Sequence, residues 1–195
     1  MKRKPRVCKP NLTYRTYSRC INLENMMGDD SMKELMLTVI RETQDIFYFT
    51  FSGFKILDND FHFLIKTLPS GESISKIMQR IKSVFARRYN KIHGRTGPVW
   101  NERFWSEIIE EVKNSAEYAL KLLWYMTYTS YKKNMIHDPG SYSYCSIKYY
   151  LEENHKSKVL ITHHEAFTNL GRTFKERMKA FLNFKKFYIK EQFHA

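Results

Sequence analysis

The stretch KILDNDFHFLIKT, residues 55–67, has two strand-like halves joined by the pair Asp58-Asn59. Asp and Asn favour turns because their short side chains bond to the nearby backbone. The stretch therefore predicts a β-hairpin in the middle of the chain. Its second half places an acid and an imidazole, Asp60 and His62, among apolar neighbours. Such side chains are uncommon in a buried strand, so the same hairpin also indicates a functional site.

The segments before the hairpin predict a strand, a helix and a further strand. Residues 12–22 are rich in Thr and Tyr, which favour strands. Apolar residues recur at helical spacing in residues 28–44, and Asp30 or Ser31 is predicted to cap this helix. The aromatic segment 45–57 predicts the first strand of the hairpin.

The segments after the hairpin predict a helix, a strand and another helix. Residues 69–94 contain one continuous apolar stripe, and Gly94 is predicted to end this helix. A short strand is predicted over residues 104–109, and Asn114 or Ser115 is predicted to start the next helix.

The predicted order of elements is therefore β-α-β-β-α-β-α, followed by helical pieces. Two helices that flank a hairpin favour an antiparallel sheet with helices packed on one face. We predict the α+β class and a ferredoxin-like fold with a helical C-terminal extension. The predicted domain comprises residues 1–145, and residues 146–195 are predicted to pack on that same domain.

The chain is strongly basic. Its 195 residues include 33 Lys and Arg against 20 Asp and Glu, a formal net charge of +13. This excess favours a polyanionic partner, and nucleic acid is the first choice because basic and aromatic residues are interleaved. An anionic membrane surface is the second alternative. A solvated basic surface without a partner is the third.

Composition also predicts the cellular setting. No apolar run approaches the ~18 residues that a membrane-spanning helix requires. The basic N-terminus is not followed by the apolar stretch of a secretory signal. Cys8, Cys20 and Cys145 are too widely spaced for a disulfide framework or a zinc cluster. These features predict a cytoplasmic protein.

Four basic residues of the helix in residues 69–94 share one side. A row of this kind is able to follow a phosphate backbone, and it is equally typical of a solvated helix face. The residues of the row are Lys76, Arg80, Arg87 and Lys91.

Alternation along the strand directs Asp60 and His62 to the same side. Residues two apart in a strand lie roughly 6.5 Å apart, at about 3.3 Å per residue. A carboxylate and an imidazole at that spacing suit one cation such as Mg²⁺ or Mn²⁺. An Asp–His hydrogen bond, or two residues that face water, is the alternative.

The helix that begins near Ser115 is rich in tyrosine. Tyr118, Tyr125 and Thr129 share a face of this helix. Tyr125 is a candidate nucleophile if a metal or a cation activates its hydroxyl. The alternative is a tyrosine packed in the core. Tyr128 and Tyr131 compete with Tyr125, and periodicity does not choose among them.

Three segments together resemble the single-tyrosine HUH transposases, specifically the REP-associated tyrosine transposase branch related to insertion-sequence transposases. They are LDNDFHFLIK (57–66), SKIMQRIKSVFARRYNKIHGRTGPVWNERFWSEII (75–109) and the tyrosine-rich segment 118–151. The second is the most specific, because it contains the ordered pattern Arg-x-Gly-x-x-Trp-x-x-Arg-Phe over residues 95–104. The resemblance covers about residues 12–190.

The resemblance implies a ferredoxin-like fold that cleaves and rejoins single-stranded DNA, often beside a hairpin, through a 5′-phosphotyrosine. Tyr125 matches the nucleophile, and His62 matches the second histidine of a metal-binding pair. Asp60 stands at the first histidine, and Thr129 stands where the family often has an Asn or Gln ligand. The implied cofactor is Mg²⁺ or Mn²⁺.

The resemblance leaves two outcomes for the altered ligands. One is a working transposase or single-strand endonuclease, and the other is a domesticated DNA-binding protein that has lost cleavage. A third alternative is an RNA-binding or membrane-surface protein that uses the basic face. The predicted partner is single-stranded or hairpin DNA, with Arg95 and Arg103 joining the basic row in contacting it. A monomer or a homodimer is expected.

Overall fold

One antiparallel sheet organises the molecule. A computed structural model describes residues 8–132 and 141–192, with side chains described for residues 8–128 and 141–185. Within this part of the chain, four strands pair in the order β2-β3-β1-β4. The strands are β1 (Thr13–Arg19), β2 (Phe49–Ile56), β3 (Asp60–Thr67) and β4 (Trp105–Ile108).

Helices connect the strands and complete the C-terminal part. They are α1 (Asp30–Gln44), α2 (Ile74–Ile92), α3 (Ser115–Lys132), α4 (Lys148–Leu151), α5 (Glu165–Thr168) and α6 (Phe174–Gln192). The order β1-α1-β2-β3-α2-β4 with this strand pairing is a ferredoxin-like arrangement. The predicted fold class and element order are therefore confirmed.

The β2–β3 hairpin forms one edge of the sheet, and its turn lies where the sequence predicts. Lys55 pairs with His62, and Ile56 pairs with Phe61, across the turn at Asp58-Asn59. A register shift interrupts the pairing between Phe51 and Gly53. This irregularity changes which β2 side chains face each side of the sheet beyond that point.

The face of the sheet that packs on α1 and α2 holds an aromatic core. Phe61 and Phe63 of β3 stack with ring centroids 4.2 Å apart. Thr16 of β1 donates a hydrogen bond to the Met78 sulfur of α2 at 3.6 Å. Because β-strand side chains alternate, Asp60 and His62 are directed to the opposite face.

That opposite face is covered in part by α3. An added Cβ on Gly53 of β2 would lie 3.0 Å from Leu123 and 3.1 Å from Met126 of α3. Helix α6 packs on α3 in turn. The Trp124 ring of α3 stacks on the Phe181 ring of α6, with centroids 4.9 Å apart. The C-terminal segment thus supports the helix that carries the candidate tyrosines. The domain boundary at residues 145 and 146 stays a prediction.

Element ends differ slightly from the sequence expectations. Helix α1 begins at Asp30 with Asp29 at the N-cap position, and strand β2 begins at Phe49 rather than at residue 45. Gly94 adopts a φ of 57° directly after the His93 C-cap, which agrees with its predicted role in ending α2. Among the described residues, no helix is long and apolar enough to cross a membrane.

Candidate active site

A row of four side chains crosses the sheet, one from each strand. Lys55 of β2 is in register with His62 of β3, and His62 is in register with Tyr17 of β1. Tyr17 is in register with Trp105 of β4. Residues in register on adjacent strands point to the same face, so the row lies on the face that α3 partly covers.

A cleft of about 620 Å³ lies against this row and is here called the Tyr125 cleft. Its lining includes cations, an acid, an imidazole and aromatic rings, which is a chemically mixed surface. The lining residues used below are Arg15, Tyr17, Lys55, Asp60, His62, Trp105 and Tyr125.

Tyr125 reaches this cleft from α3. Its ring lies edge-on to the His62 ring, with centroids 6.3 Å apart. Tyr128 is buried and packs with its ring centroid 6.4 Å from that of Trp124. The side chain of Tyr131 lies outside the described residues. Of the described tyrosines on α3, Tyr125 is the one that lines the cleft beside His62.

Two cations lie close to the Tyr125 ring. The Arg15 guanidinium carbon is 5.3 Å from the ring centroid, and the Lys55 ammonium nitrogen is 5.9 Å from it. Lys55 is fully buried, at 0% exposure. Sequence reasoning missed both residues, although Lys55 was visible as a charge inside an otherwise apolar strand.

Arg15 is held in place by a hydrogen-bonded chain. It donates to the Tyr118 hydroxyl at 2.9 Å, and that hydroxyl donates to Glu107 at 2.7 Å. Burial, and then the hydrogen bond to Glu107, raise the pKa of Tyr118, while the Arg15 charge opposes this. Tyr118 therefore stays protonated at neutral pH and acts as a link that orients Arg15.

Tyr17 packs directly on the imidazole. The Tyr17 and His62 rings have centroids 4.6 Å apart with planes tilted by 37°. Burial, and then the charge of Asp60, raise the pKa of Tyr17, while Arg19 opposes this. Because its hydroxyl stays protonated, Tyr17 is uncharged where it packs against the His62 ring.

The structure describes the side chains of two of the three predicted metal ligands. Asp60 and His62 are both buried and both line the Tyr125 cleft. Thr129 belongs to α3, but its side chain lies outside the described residues. Within residues 8–128 and 141–185, no three His, Cys, Asp or Glu side chains form a group able to hold a metal. The Asp60 carboxylate suits Mg²⁺, which is commonly held by one or two carboxylates together with waters and substrate phosphates, whereas the His62 imidazole suits Mn²⁺ and softer ions.

The predicted DNA-binding row on α2 divides into two parts. Lys76 and Arg80 flank the Phe47 ring at 5.6 and 5.7 Å, and Lys76 also pairs with Glu72 at 2.7 Å. Arg87 and Lys91 are exposed. The row is therefore a basic surface along α2, separate from the Tyr125 cleft.

The two arginines of the Arg-x-Gly-x-x-Trp-x-x-Arg-Phe pattern have different environments. Arg95 pairs with Glu24 at 2.9 Å, which ties the loop after α2 to the segment after β1. Arg103 is exposed and lines two further clefts. Arg103 is thus better placed than Arg95 to contact a ligand.

Comparisons with known proteins give one family and one shared fold. Residues 8–116, more than half of the chain, match the family model described as IS200-like transposase. No curated protein matches the chain. A structure described as a REP-associated tyrosine transposase bound to a REP hairpin has a TM-score of 0.60 at 14% identity, covering 85% of this chain and 96% of that one. A candidate transposase from Deinococcus radiodurans has a TM-score of 0.42 at 15% identity, covering 62% of this chain and 93% of that one.

Proposed function

The chain belongs to the IS200-like transposase family, and we propose that it cleaves and rejoins single-stranded DNA through a covalent bond between Tyr125 and a 5′-phosphate. The outcome of this reaction is DNA transposition or the processing of REP elements. One observation carries the proposal: Tyr125 of α3 lines the same cleft as Asp60 and His62 of β3.

The proposed reaction exchanges one phosphate ester for another. The Tyr125 hydroxyl oxygen attacks the scissile phosphorus and loses its proton, while the bond from phosphorus to the 3′-oxygen breaks. The released oxygen takes up a proton, so the products are a 5′-phosphotyrosine and a free 3′-hydroxyl. The intermediate conserves the energy of the phosphodiester, and attack by another 3′-hydroxyl reverses the step without a nucleotide cofactor.

Arg15 and Lys55 supply the positive charge that this step needs. A neutral phenol is a weak nucleophile near pH 7. The two cations lie 5.3 and 5.9 Å from the Tyr125 ring centroid. Fixed charges of this kind stabilise the negative charge that develops on the phosphate in the transition state.

Asp60 and His62 are the proposed holders of a divalent ion, Mg²⁺ or Mn²⁺. Such an ion, when bound, polarises the scissile phosphate. Because the described protein donors number two, we expect the ion to bind tightly only when a DNA phosphate adds a further ligand. Thr129 remains the predicted third protein donor.

The proposed substrate combines a hairpin with an adjacent single strand. The support is the likeness to a structure described as bound to a REP hairpin, together with the formal charge of +13. The basic row on α2 is proposed to contact the phosphate backbone of this DNA.

A covalent-adduct assay tests the proposed function. The protein is incubated with Mg²⁺ or Mn²⁺ and a pool of DNA hairpins that carry randomised single-stranded flanks, and adducts are separated on a denaturing gel. We expect an adduct with the wild-type protein and with Tyr128→Phe, and none with Tyr125→Phe. An adduct that survives Tyr125→Phe would assign another nucleophile. Absence of any wild-type adduct across the pool would exclude the enzyme.

A DNA-binding protein without cleavage activity is the second candidate. The observation in its favour is Asp60, which stands where the resembled family has a histidine. In the same assay this candidate predicts retention of the hairpin pool on a native gel and no adduct on the denaturing gel.

A further inference from the structure

We propose that a single DNA strand runs from the Tyr125 cleft around the end of the sheet into a second large cleft, where an unpaired nucleobase binds. The inference rests on the proposed single-stranded substrate. The second cleft, here called the Trp100 cleft, has a volume of about 640 Å³ and lies between α2 and the loop that precedes β4. This volume is within the range of sites for small molecules, ~300–1,000 Å³.

A small cleft of about 160 Å³ shares lining residues with both of the large ones. It shares Tyr17 and Trp105 with the Tyr125 cleft, and it shares Glu102 and Arg103 with the Trp100 cleft. Strand β4 begins at Trp105, so the small cleft lies at the end of the sheet where β4 starts. The proposed DNA strand runs along these three neighbouring clefts, from the α3 face to the α2 face.

The wall of the Trp100 cleft is held rigidly before any ligand arrives. The Trp100 indole donates to the Lys82 carbonyl oxygen at 2.9 Å, and the Lys82 ammonium donates to the Glu102 carbonyl oxygen at 2.7 Å. The Trp100 ring also meets the Phe61 ring edge-on at 5.3 Å. A wall fixed by these contacts loses little conformational entropy when it binds a ligand.

The chemistry of the cleft suits a flat ring with a polar edge. The partly buried Trp100 and the buried Phe104 form the aromatic part of the lining. Gln79 and Ser83 of α2 contribute an amide and a hydroxyl, which both donate and accept hydrogen bonds. Unpaired bases are recognised in this way, by stacking on one face and hydrogen bonds at the edge.

Positive charge borders the path, which favours DNA over an apolar peptide. Ser83 lies three residues after Arg80 and four before Arg87, so these arginines are its neighbours on the surface of α2. Arg103 stands on the loop side of the cleft. Trp105 is 49% exposed, with the Arg15 guanidinium 5.5 Å from its ring, and forms a stacking platform between the two clefts.

Filling the Trp100 cleft tests this inference. We compare Ser83→Trp, which adds bulk at the cleft, with Ser31→Trp, an exposed position on α1 that does not line it. Affinities are measured by fluorescence anisotropy with labelled oligo-dA and oligo-dT. One lost stacked base corresponds to roughly 10-fold weaker binding for Ser83→Trp, and Ser31→Trp should match the wild type.

A second variant tests the Trp100 cleft without filling it. Gln79→Leu removes the amide from the edge of the cleft, and we expect it to change the ratio of the oligo-dA and oligo-dT affinities. Oligonucleotides that contain 5-iodouracil are then crosslinked by light, and the crosslinked residues are identified by fragment-ion mass spectrometry. We expect adducts at Trp100 or Phe104.

The outcomes separate this inference from the proposed function. Unchanged affinities in Ser83→Trp and Gln79→Leu, with crosslinks confined to Tyr17 or Trp105, would overturn the nucleobase site and leave cleavage at Tyr125 intact. Failure of the wild-type protein to bind any single-stranded oligonucleotide would overturn both. Weaker binding by Ser83→Trp together with crosslinks at Trp100 or Phe104 would establish the site even if no covalent adduct forms at Tyr125.

Discussion

The Tyr125 ring on α3 meets the His62 ring on β3 edge-on, with centroids 6.3 Å apart and planes at 80°. Because the two residues belong to different elements, this contact exists only when α3 packs on the sheet. The candidate nucleophile and the candidate metal ligand are therefore aligned by tertiary packing, and changes to that packing should affect the chemistry.

Gly53→Ala should disturb the contact between α3 and the sheet. The added Cβ would lie 3.0 Å from a Leu123 methyl and 3.1 Å from the Met126 methyl, so these side chains must shift. We expect a loss of about 1–3 kcal/mol in the free energy of unfolding and slower adduct formation. Urea unfolding measures the first effect. Adding Leu123→Ala should make the double variant less destabilised than the sum of the single variants, whereas strict additivity would contradict this account.

Lys55→Met should slow catalysis. Removing one fixed charge from a transition state typically costs about 10²-fold or more in rate. Because Lys55 is fully buried and interacts with neighbouring groups, thermal unfolding is measured alongside the rate, so that a loss of fold is distinguished from the loss of a charge. Single-turnover adduct formation measures the rate. Lys66→Met provides the matched control, because Lys66 does not line the Tyr125 cleft; equal rates for both variants would remove Lys55 from the mechanism.

Asp60→His should change the preferred metal. A carboxylate suits Mg²⁺, whereas imidazole suits Mn²⁺ and softer ions. We expect the ratio of the Mg²⁺-supported rate to the Mn²⁺-supported rate to fall in this variant. The comparison variant Asp60→Asn should lose activity with both ions. An unchanged ratio in Asp60→His would show that residue 60 does not contact the ion.

The cysteines should react with alkylating reagents in a defined order. Burial raises the pKa of Cys20 to about 12 and also raises the pKa of Cys145, so neither is a thiolate near pH 8. Cys8 is only partly buried. We expect iodoacetamide to modify Cys8 first in the native protein, as measured by mass spectrometry, and all three cysteines in urea. Early modification of Cys20 would contradict the fold around it.

His164 should make the protein less stable at mildly acidic pH. Burial lowers its pKa, with Lys66 adding to this effect and Glu165 and Glu110 opposing it. As pH falls below ~6.5, the unfolded chain binds a proton that the folded chain binds only at lower pH, so the free energy of unfolding decreases.

A substitution at this position isolates the His164 contribution. The Nδ1 atom of His164 accepts a hydrogen bond from the Ala166 amide at 3.1 Å, and Asn is able to provide the same acceptor without titrating. We therefore expect a smaller loss of stability between pH 7 and pH 5 in His164→Asn. Urea unfolding at the two pH values measures this loss. Equal losses in both proteins would exclude His164 as the cause.

The order and type of the main elements follow from the sequence alone, because periodicity, turn residues and caps act over a few neighbouring positions. Asp58-Asn59 marked the hairpin, and Gly94 marked the end of α2. Alternation likewise put Asp60 and His62 on one side of β3 without any knowledge of the remaining chain.

The packing of distant elements brings most of the other side chains of the site to that pair. Tyr125 and Tyr128 lie on one helix, and its packing against β2 and α6 turns Tyr125 to the cleft and Tyr128 to Trp124. Arg15 joins the site through the pairing of β1 with β3, which are distant in the chain, whereas Lys55 reaches it across the local β2–β3 hairpin. Local sequence patterns do not encode which strands become neighbours, since pairing depends on how the whole sheet buries its two faces.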